Sequence, residues 1–79
     1  MEEKYVIYSK DGCSFCQQAK NFLLIKSKNF DVKNLGNDYT LEEFREKFPE
    51  QKTFPMIIHE NSESVTEVGG YDKLKEYLK

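Results

Sequence analysis

The chain has 79 residues and a formal net charge of −2, and its lysines and glutamates are interspersed without a long run of one sign. This distribution argues against binding to nucleic acid, which needs a concentrated basic face. No stretch approaches the ~20 apolar residues of a membrane span, and the charged start Met1-Glu2-Glu3-Lys4 does not resemble a signal peptide. We therefore expect one soluble, cytoplasmic domain over residues 1–79. We also expect it to be a monomer.

The first part of the chain predicts a strand, a helix and a second strand. Residues 4–8 form a β-branched and aromatic run that is typical of a buried strand. From Cys13 to about Lys28 the apolar residues follow a helical spacing, and the predicted buried face comprises Phe15, Ala19, Phe22 and Leu23. Alternating apolar and polar residues near 30–34 then predict a second strand, and Gly36-Asn37-Asp38 predicts a turn.

The rest of the chain predicts two further helices and two further strands. Thr40 and Glu43 fit a capping box that begins a helix, Pro49 ends it, and its predicted buried face comprises Leu41, Phe44 and Phe48. Residues 56–58 and 65–68 read as strands joined by a polar hairpin connection over 60–63. Gly69-Gly70 precedes a final helix whose predicted face comprises Tyr71, Leu74 and Leu78.

The predicted order β-α-β-α-β-β-α indicates an α/β fold class. The first β-α-β unit should be a right-handed parallel crossover, and the last two strands should form an antiparallel hairpin. We expect a four-stranded mixed sheet flanked by three helices.

Cys13 and Cys16 stand where the first strand passes into the first helix. Positions i and i+3 of a helix have Cα atoms about 5 Å apart, inside the ~4.4–6.8 Å range of an unstrained disulfide. A cysteine at the helix start meets free backbone N–H groups and the positive dipole end, which stabilise a thiolate and lower thiol pKa values to about 3.5–7.5. Lys10 adds positive charge nearby, whereas Asp11 opposes it. We predict that Cys13 is the exposed nucleophile and Cys16 the buried resolving thiol.

Two other interpretations of the cysteine pair stay open at this point. The pair would supply half of a zinc site, but zinc usually needs four ligands, and His59 is the sole histidine. A surface or packing role is the simpler interpretation of His59, so we expect no metal. Alternatively, the cysteines are small hydrophobic residues without chemistry.

Three segments in register resemble the glutaredoxin family of the thioredoxin superfamily, and the resemblance extends over nearly the whole chain. They are Tyr8 to Cys16, Thr53-Phe54-Pro55 and Gly69-Gly70-Tyr71-Asp72. The resemblance implies a thioredoxin-like fold and a thiol–disulfide oxidoreductase that reduces protein disulfides and glutathione mixed disulfides. Glutathione would then be the reductant, no tightly bound cofactor is expected, and ribonucleotide reductase is a family-typical partner.

The resemblance also implies a glutathione site. Pro55 matches the family's cis-proline, which with Thr53 and Phe54 would offer backbone to a substrate. Lys10 and Gln51 would hold the glycine carboxylate, and Phe15 would form a wall of the site. The backbone entering the last helix, at Gly70, Tyr71 and Asp72, would hold the γ-glutamyl carboxylate.

Three residues depart from the commoner family pattern. Ser14 replaces a frequent proline and also occurs in members that bridge an iron–sulfur cluster between two protomers. Phe54 replaces a frequent valine, and its ring would crowd or reshape the groove. Lys73 replaces a frequent aspartate that meets the glutathione ammonium. These departures keep three alternatives open, namely a redoxin recharged by a flavoprotein reductase, a cluster carrier ligated by glutathione, and an interaction module with idle cysteines.

Overall fold

A computed structural model describes residues 3–51 and 53–79. Met1 and Glu2, which belong to the segment that does not resemble a signal peptide, lie outside the described residues. The element order is that predicted, with strands β1 Lys4–Ser9, β2 Phe30–Asn34, β3 Met56–Glu60 and β4 Val65–Gly69, and helices α1 Ser14–Ile25, α2 Leu41–Lys47 and α3 Tyr71–Tyr77. None of these helices has the length and apolar character to cross a bilayer, as far as the described residues extend.

The four strands form one mixed sheet in the order β2-β1-β3-β4. β1 runs parallel to β2, with Tyr5 opposite Phe30, and antiparallel to β3, with Tyr8 opposite Met56. β3 and β4 form the predicted antiparallel hairpin. The predicted four-stranded mixed sheet of a thioredoxin-like fold is therefore confirmed.

The alternation of side chains along β1 builds a hydrophobic core on each face of the sheet. Tyr5 and Ile7 face α1 and α3, where the buried cluster comprises Tyr5, Ile7, Ala19, Leu23, Ile57 and Leu74. Val6 and Tyr8 face α2, where the cluster comprises Val6, Tyr8, Tyr39, Phe44, Phe48, Met56 and Ile58. Because both faces are apolar, the strand reads as a continuous hydrophobic run rather than as a half-polar one.

Helix α1 ends at Ile25, so the predicted extension to about Lys28 was wrong. Ser27 adopts a left-handed conformation with φ of 58°. The Ser27 amide donates to the Leu24 carbonyl and the Lys28 amide donates to the Leu23 carbonyl, each at 3.0 Å. This bond pattern is a Schellman motif, which is usually built on glycine. Because serine rather than glycine occupies this position, the sequence did not indicate the end of the helix.

The predicted helix faces need two corrections. Phe15 is 55% exposed, and Cys16 is the buried residue of the first turn of α1. Leu41 is 41% exposed because it stands at the open start of α2, whereas Phe44 and Phe48 are buried as predicted. The predicted capping box is confirmed, since the Glu43 amide donates to Thr40 Oγ1 at 3.2 Å and the Thr40 amide donates to Glu43 Oε1 at 2.8 Å.

Both hairpin strands are longer than predicted, and β4 carries an irregularity next to α3. Ile57 pairs with Gly69 and Ile58 pairs with Glu67, so Val68 has no residue opposite it. Gly69 adopts a φ of +112°, and a Cβ there would lie 2.9 Å from Cγ of Lys73. Glycine therefore allows the chain to turn from β4 into α3 at this point.

His59 occupies the packing role expected for it, at the end of the sheet where β1 begins. Its ring stacks on Tyr5 with centroids 4.4 Å apart. Nε2 lies 3.0 Å from Glu3 Oε2 and Nδ1 lies 2.7 Å from Tyr77 Oη. An ionised carboxylate only accepts, so Nε2 is the donor toward Glu3. This hydrogen bond and the positive charge of Lys28 lower the pKa of Glu3.

Tyr39 fixes the opposite end of β1, where the chain leaves the sheet toward the cysteines. Its buried hydroxyl donates to the Ser9 carbonyl at 2.7 Å, and the Leu35 amide donates to the same carbonyl at 2.9 Å. Burial raises the pKa of Tyr39 from 10.0 to about 12, with smaller contributions from Tyr8 and Asp38. The last residue of β1 is thereby held from two sides.

The core between α1 and the sheet offers a matched pair of substitutions. Leu23 is fully buried, whereas its neighbour Leu24 is 63% exposed. We expect Leu23→Ala to lower the free energy of urea unfolding by about 2–5 kcal/mol, because it leaves a cavity. Leu24→Ala should change it by less than about 0.5 kcal/mol. Equal losses in the two variants would contradict the described orientation of α1.

Tyr39→Phe tests the hydrogen bond that holds the end of β1. The loss of one buried hydrogen bond should cost about 0.5–1.5 kcal/mol in urea unfolding at pH 7. A phenol whose pKa is raised on folding stabilises the fold below the unfolded value of 10.0 and loses this contribution as the pH rises toward about 12. The difference in unfolding free energy between wild type and Tyr39→Phe should therefore be smaller at pH 11 than at pH 7. An equal difference at both pH values would contradict this prediction.

Candidate functional site

Cys13 is the N-cap residue of α1, as predicted. Its extended backbone precedes the helix, and its Sγ accepts a hydrogen bond from the Cys16 amide at 3.2 Å. A cap normally uses a serine, threonine, asparagine or aspartate oxygen. Here a sulfur takes that place, so the free N–H groups and the positive end of the helix dipole lie next to it.

The two sulfurs lie in different surroundings. Cys16 is 4% exposed, whereas Cys13 is partly exposed. The two residues form a disulfide, and their Cα atoms are 5.3 Å apart, close to the helical i to i+3 spacing. The backbone geometry is thus compatible with a bridge that forms and opens with little movement of the chain.

A groove of about 820 Å³ lies beside Cys13. It is lined by the nine residues that sequence analysis assigned to substrate binding, namely Lys10, Phe15, Gln51, Thr53, Phe54, Pro55, Gly70, Tyr71 and Asp72. These come from three separate segments, which meet where β1 ends, β3 begins and α3 begins. Cys16 does not line the groove, because it lies behind Cys13 on the buried face of α1.

The segment before β3 forms one wall of the groove. The Phe54–Pro55 peptide bond is cis, as predicted, and Pro55 is fully buried. Gln51 Nε2 donates to the Thr53 carbonyl at 2.9 Å. The Phe54 ring stacks on Phe44 of α2, with centroids 4.6 Å apart. The ring therefore turns toward α2 and its hydrophobic core, while Phe54 still lines the groove.

Lys10 marks the end of the groove nearest to β1. Its Nζ lies over the Phe54 ring, 5.4 Å from the centroid, within the range of a cation–π interaction. Within residues 3–51 and 53–79, no carboxylate forms an ion pair with Lys10. The ammonium is therefore held near the groove without being neutralised.

Helix α3 marks the other end of the groove. Gly70 is its N-cap and supplies no side chain to cap the first N–H groups. Tyr71 lies near Phe15, with ring centroids 6.3 Å apart. Asp72 is exposed and lies 3.8 Å from Lys75 Nζ, and Lys73 also lines the groove. This end thus combines backbone N–H groups with the Lys73 ammonium and the Asp72 carboxylate.

Sequence analysis did not assign Gly12, Ser14, Val68, Gly69 and Lys73 as binding residues, although all five line the groove. Gly12, Ser14 and Gly69 lie inside the segments that carry the resemblance, and Lys73 directly follows one of them. Val68 belongs to β4, and the sequence indicates nothing for it beyond its place in a strand. The irregular pairing with β3 redirects this strand end, and the Gly69-Gly70 pair was its one signal in the sequence.

Within the described part of the chain, no three His, Cys, Asp or Glu side chains come together in a way that would hold a metal ion. His59, the residue considered for a zinc site, lies at the far end of the sheet and contacts Glu3 and Tyr77 instead.

Comparison with known proteins agrees with this geometry. Residues 5–63 match the family model for glutaredoxin. The chain is 31% identical over 78 residues to the hybrid peroxiredoxin hyPrx5 of Haemophilus influenzae. The aligned residues make up 99% of this chain but only 30% of that protein, so the chain spans less than a third of the relative's length. The fold is similar to a crystal structure of glutaredoxin 1 from Francisella tularensis complexed with cacodylate, with a TM-score of 0.74 at 21% identity over 96% of this chain and 92% of that one.

The unequal surroundings of the two sulfurs predict unequal reactivity after reduction. At pH 6 to 7, iodoacetamide should alkylate Cys13 at least about tenfold faster than Cys16, because only Cys13 is both accessible and next to free helix N–H groups. Mass spectrometry of Cys13→Ser and Cys16→Ser assigns each rate to one thiol. Equal rates, or a faster Cys16, would contradict the assignment of the nucleophile.

Proposed function

Because this chain belongs to the glutaredoxin family, we propose that it is a glutathione-dependent thiol–disulfide oxidoreductase that reduces protein disulfides and glutathione mixed disulfides. The observation that carries the proposal is the position of Cys13, a partly exposed residue that lines the groove and whose sulfur caps α1. A thiolate is the attacking species in thiol–disulfide exchange, and this position stabilises one.

Reduction of a protein disulfide would use both cysteines. The Cys13 thiolate attacks one substrate sulfur, which forms a mixed disulfide and releases the other substrate sulfur as a thiolate that takes up a proton. The Cys16 thiolate then attacks Cys13 Sγ, forms the Cys13–Cys16 disulfide and releases the second substrate thiol. Two electrons pass from the cysteine pair to the substrate. The 5.3 Å Cα separation supports the second step, because the sulfurs are already within bridging distance.

Two glutathione molecules would restore the dithiol. The first attacks Cys13 Sγ, releases Cys16 and remains as a mixed disulfide, and the second removes it as glutathione disulfide. A glutathione mixed disulfide of a substrate needs Cys13 alone for the first transfer, because glutathione itself becomes the group carried by Cys13. Cys16 is therefore expected to be dispensable for this second class of substrate.

The two ends of the groove support glutathione, which carries a carboxylate at each end. We place the glycine carboxylate near Lys10 and Gln51, and the γ-glutamyl carboxylate near the N–H groups of Tyr71 and Asp72. Lys73 lines this end of the groove, and the resemblance to the family would put its cation near the γ-glutamyl ammonium. We therefore propose recognition that relies on the two carboxylates more than on the ammonium.

The partners follow from this chemistry and are proposals. Recharging by glutathione requires a reducing compartment, so we place the protein in the cytoplasm. Ribonucleotide reductase is one candidate among disulfide-bearing protein substrates. The name of the Haemophilus influenzae relative adds an oxidised peroxiredoxin to the substrates worth assaying.

The central test compares wild type, Cys13→Ser and Cys16→Ser with glutathione, glutathione reductase and NADPH. Cys13→Ser should lower the reduction of both insulin and a glutathionylated peptide at least about a hundredfold, because the nucleophile is lost. Cys16→Ser should retain activity on the glutathionylated peptide and lose activity on insulin. NADPH absorbance follows both reactions.

A parallel assay replaces glutathione and its reductase with thioredoxin reductase and NADPH. We expect no turnover in that mixture, and turnover there alone would show a redoxin recharged by a flavoprotein. Full activity of Cys13→Ser would point to an interaction module with idle cysteines, or to a contaminant. Leu24→Ala serves as the preparation control, since the residue is exposed on the same helix outside the groove.

A further inference from the structure

We propose that Phe54 is a positioning residue, whose ring holds the Lys10 ammonium at the rim of the groove for a carboxylate of the bound thiol. The inference rests on the proposed function, because it concerns the glycine carboxylate of glutathione. It assigns a role to a ring that sequence analysis expected to crowd the groove.

The Phe54 ring is itself held in place by the hydrophobic core. It stacks on Phe44 at a centroid distance of 4.6 Å and an interplanar angle of 28°. Phe44 is 3% exposed and belongs to the buried cluster between α2 and the sheet. A half-buried ring packed on a buried ring has few alternative orientations, so the position of its face is fixed relative to the groove.

The fixed ring attracts the Lys10 ammonium. The face of an aromatic ring carries negative charge density, and Nζ lies 5.4 Å from its centroid, inside the ~6 Å range of the interaction. A carboxylate partner would neutralise the ammonium, whereas a ring leaves its charge and its N–H donors available. A positioned lysine also loses less side-chain freedom when a ligand binds, which raises affinity.

An aliphatic residue at position 54 would pack on Phe44 but would offer no negative ring face. The effect of the ring is thus separable from its bulk, because Phe54→Tyr keeps the face and Phe54→Leu removes it. The chain also supplies a matched control. Lys26 Nζ lies over the Phe22 ring at 5.5 Å, and neither residue lines the groove.

The test measures the exchange equilibrium between the Cys13 thiol and glutathione disulfide, which yields the Cys13–glutathione mixed disulfide and free glutathione. The Cys16→Ser background traps this product, and mass spectrometry quantifies it. We expect Phe54→Leu to lower the equilibrium constant about two- to fivefold. Lys10→Met should lower it at least as much. In the double variant the Phe54→Leu change should add almost nothing, because the cation it positions is gone.

The same measurement with the glycine ethyl ester of glutathione separates positioning from a general structural effect. With that carboxylate blocked, Phe54→Leu and Lys10→Met should each change the equilibrium constant by less than about 1.5-fold. Phe54→Tyr should stay within about twofold of the parent, and Lys26→Met should equal it. If Phe54→Leu shows no cooperative thermal unfolding, Phe54→Met replaces it and the same comparisons apply.

Three results would overturn the inference. In the first, Phe54→Leu lowers the equilibrium constant equally with and without the Lys10→Met change. In the second, it lowers the constant equally for glutathione and for its ester. In the third, it leaves both equilibrium constants unchanged. Failure of the parent chain to form any mixed disulfide with glutathione is a different result, because it would overturn the proposed function and this inference together.

Discussion

Strand β1 is the element on which the rest of the molecule depends. It is hydrogen-bonded to β2 on one edge and to β3 on the other, and its side chains enter both hydrophobic cores. A strand held on both edges and both faces has little freedom to shift its register. β1 is therefore a rigid central strand, and the loop that leads to the cysteines leaves from its C-terminal end.

This constraint reaches the site through Ser9. Its carbonyl is bound by both the Tyr39 hydroxyl and the Leu35 amide, so the residue before Lys10 is fixed. Four residues later Cys13 caps α1, whose buried face packs against the same strand. The helix start is consequently supported at both sides of the loop, and the sulfur that caps it occupies a defined position in the groove. Burial of Cys16 one turn later follows from the same helix orientation.

Much of this arrangement could be predicted from the sequence because it depends on local patterns. The period of the apolar residues indicated the elements, Thr40 and Glu43 indicated a helix start, and the spacing of Cys13 and Cys16 indicated a bridge. The errors arose where a residue acts against its usual preference. Ser27 ends α1 in a conformation that normally takes glycine, and Phe15 leaves the buried stripe because its helix begins at the groove.

The contacts of the groove could not be predicted in this way, because they join segments far apart in the chain. Nothing near Lys10 in the sequence indicates that its ammonium lies over Phe54, or that Phe54 stacks on a ring of α2. The irregular pairing of Val68 also depends on the partner strand rather than on the residue itself. The resemblance to glutaredoxins therefore indicated most of the groove residues, and tertiary packing decided how they meet.

The contacts of His59 bring the start of β1 and the end of α3 together. Glu3 lies just before β1 and Tyr77 ends α3, and a single imidazole bridges them. Both lie at the end of the sheet opposite the groove, where β1 begins and β3 ends. A further domain attached before Glu3 or after α3 would thus depart from the side away from Cys13. Tethering at either position would leave the groove unobstructed, and a partner on a long enough linker would reach it from outside.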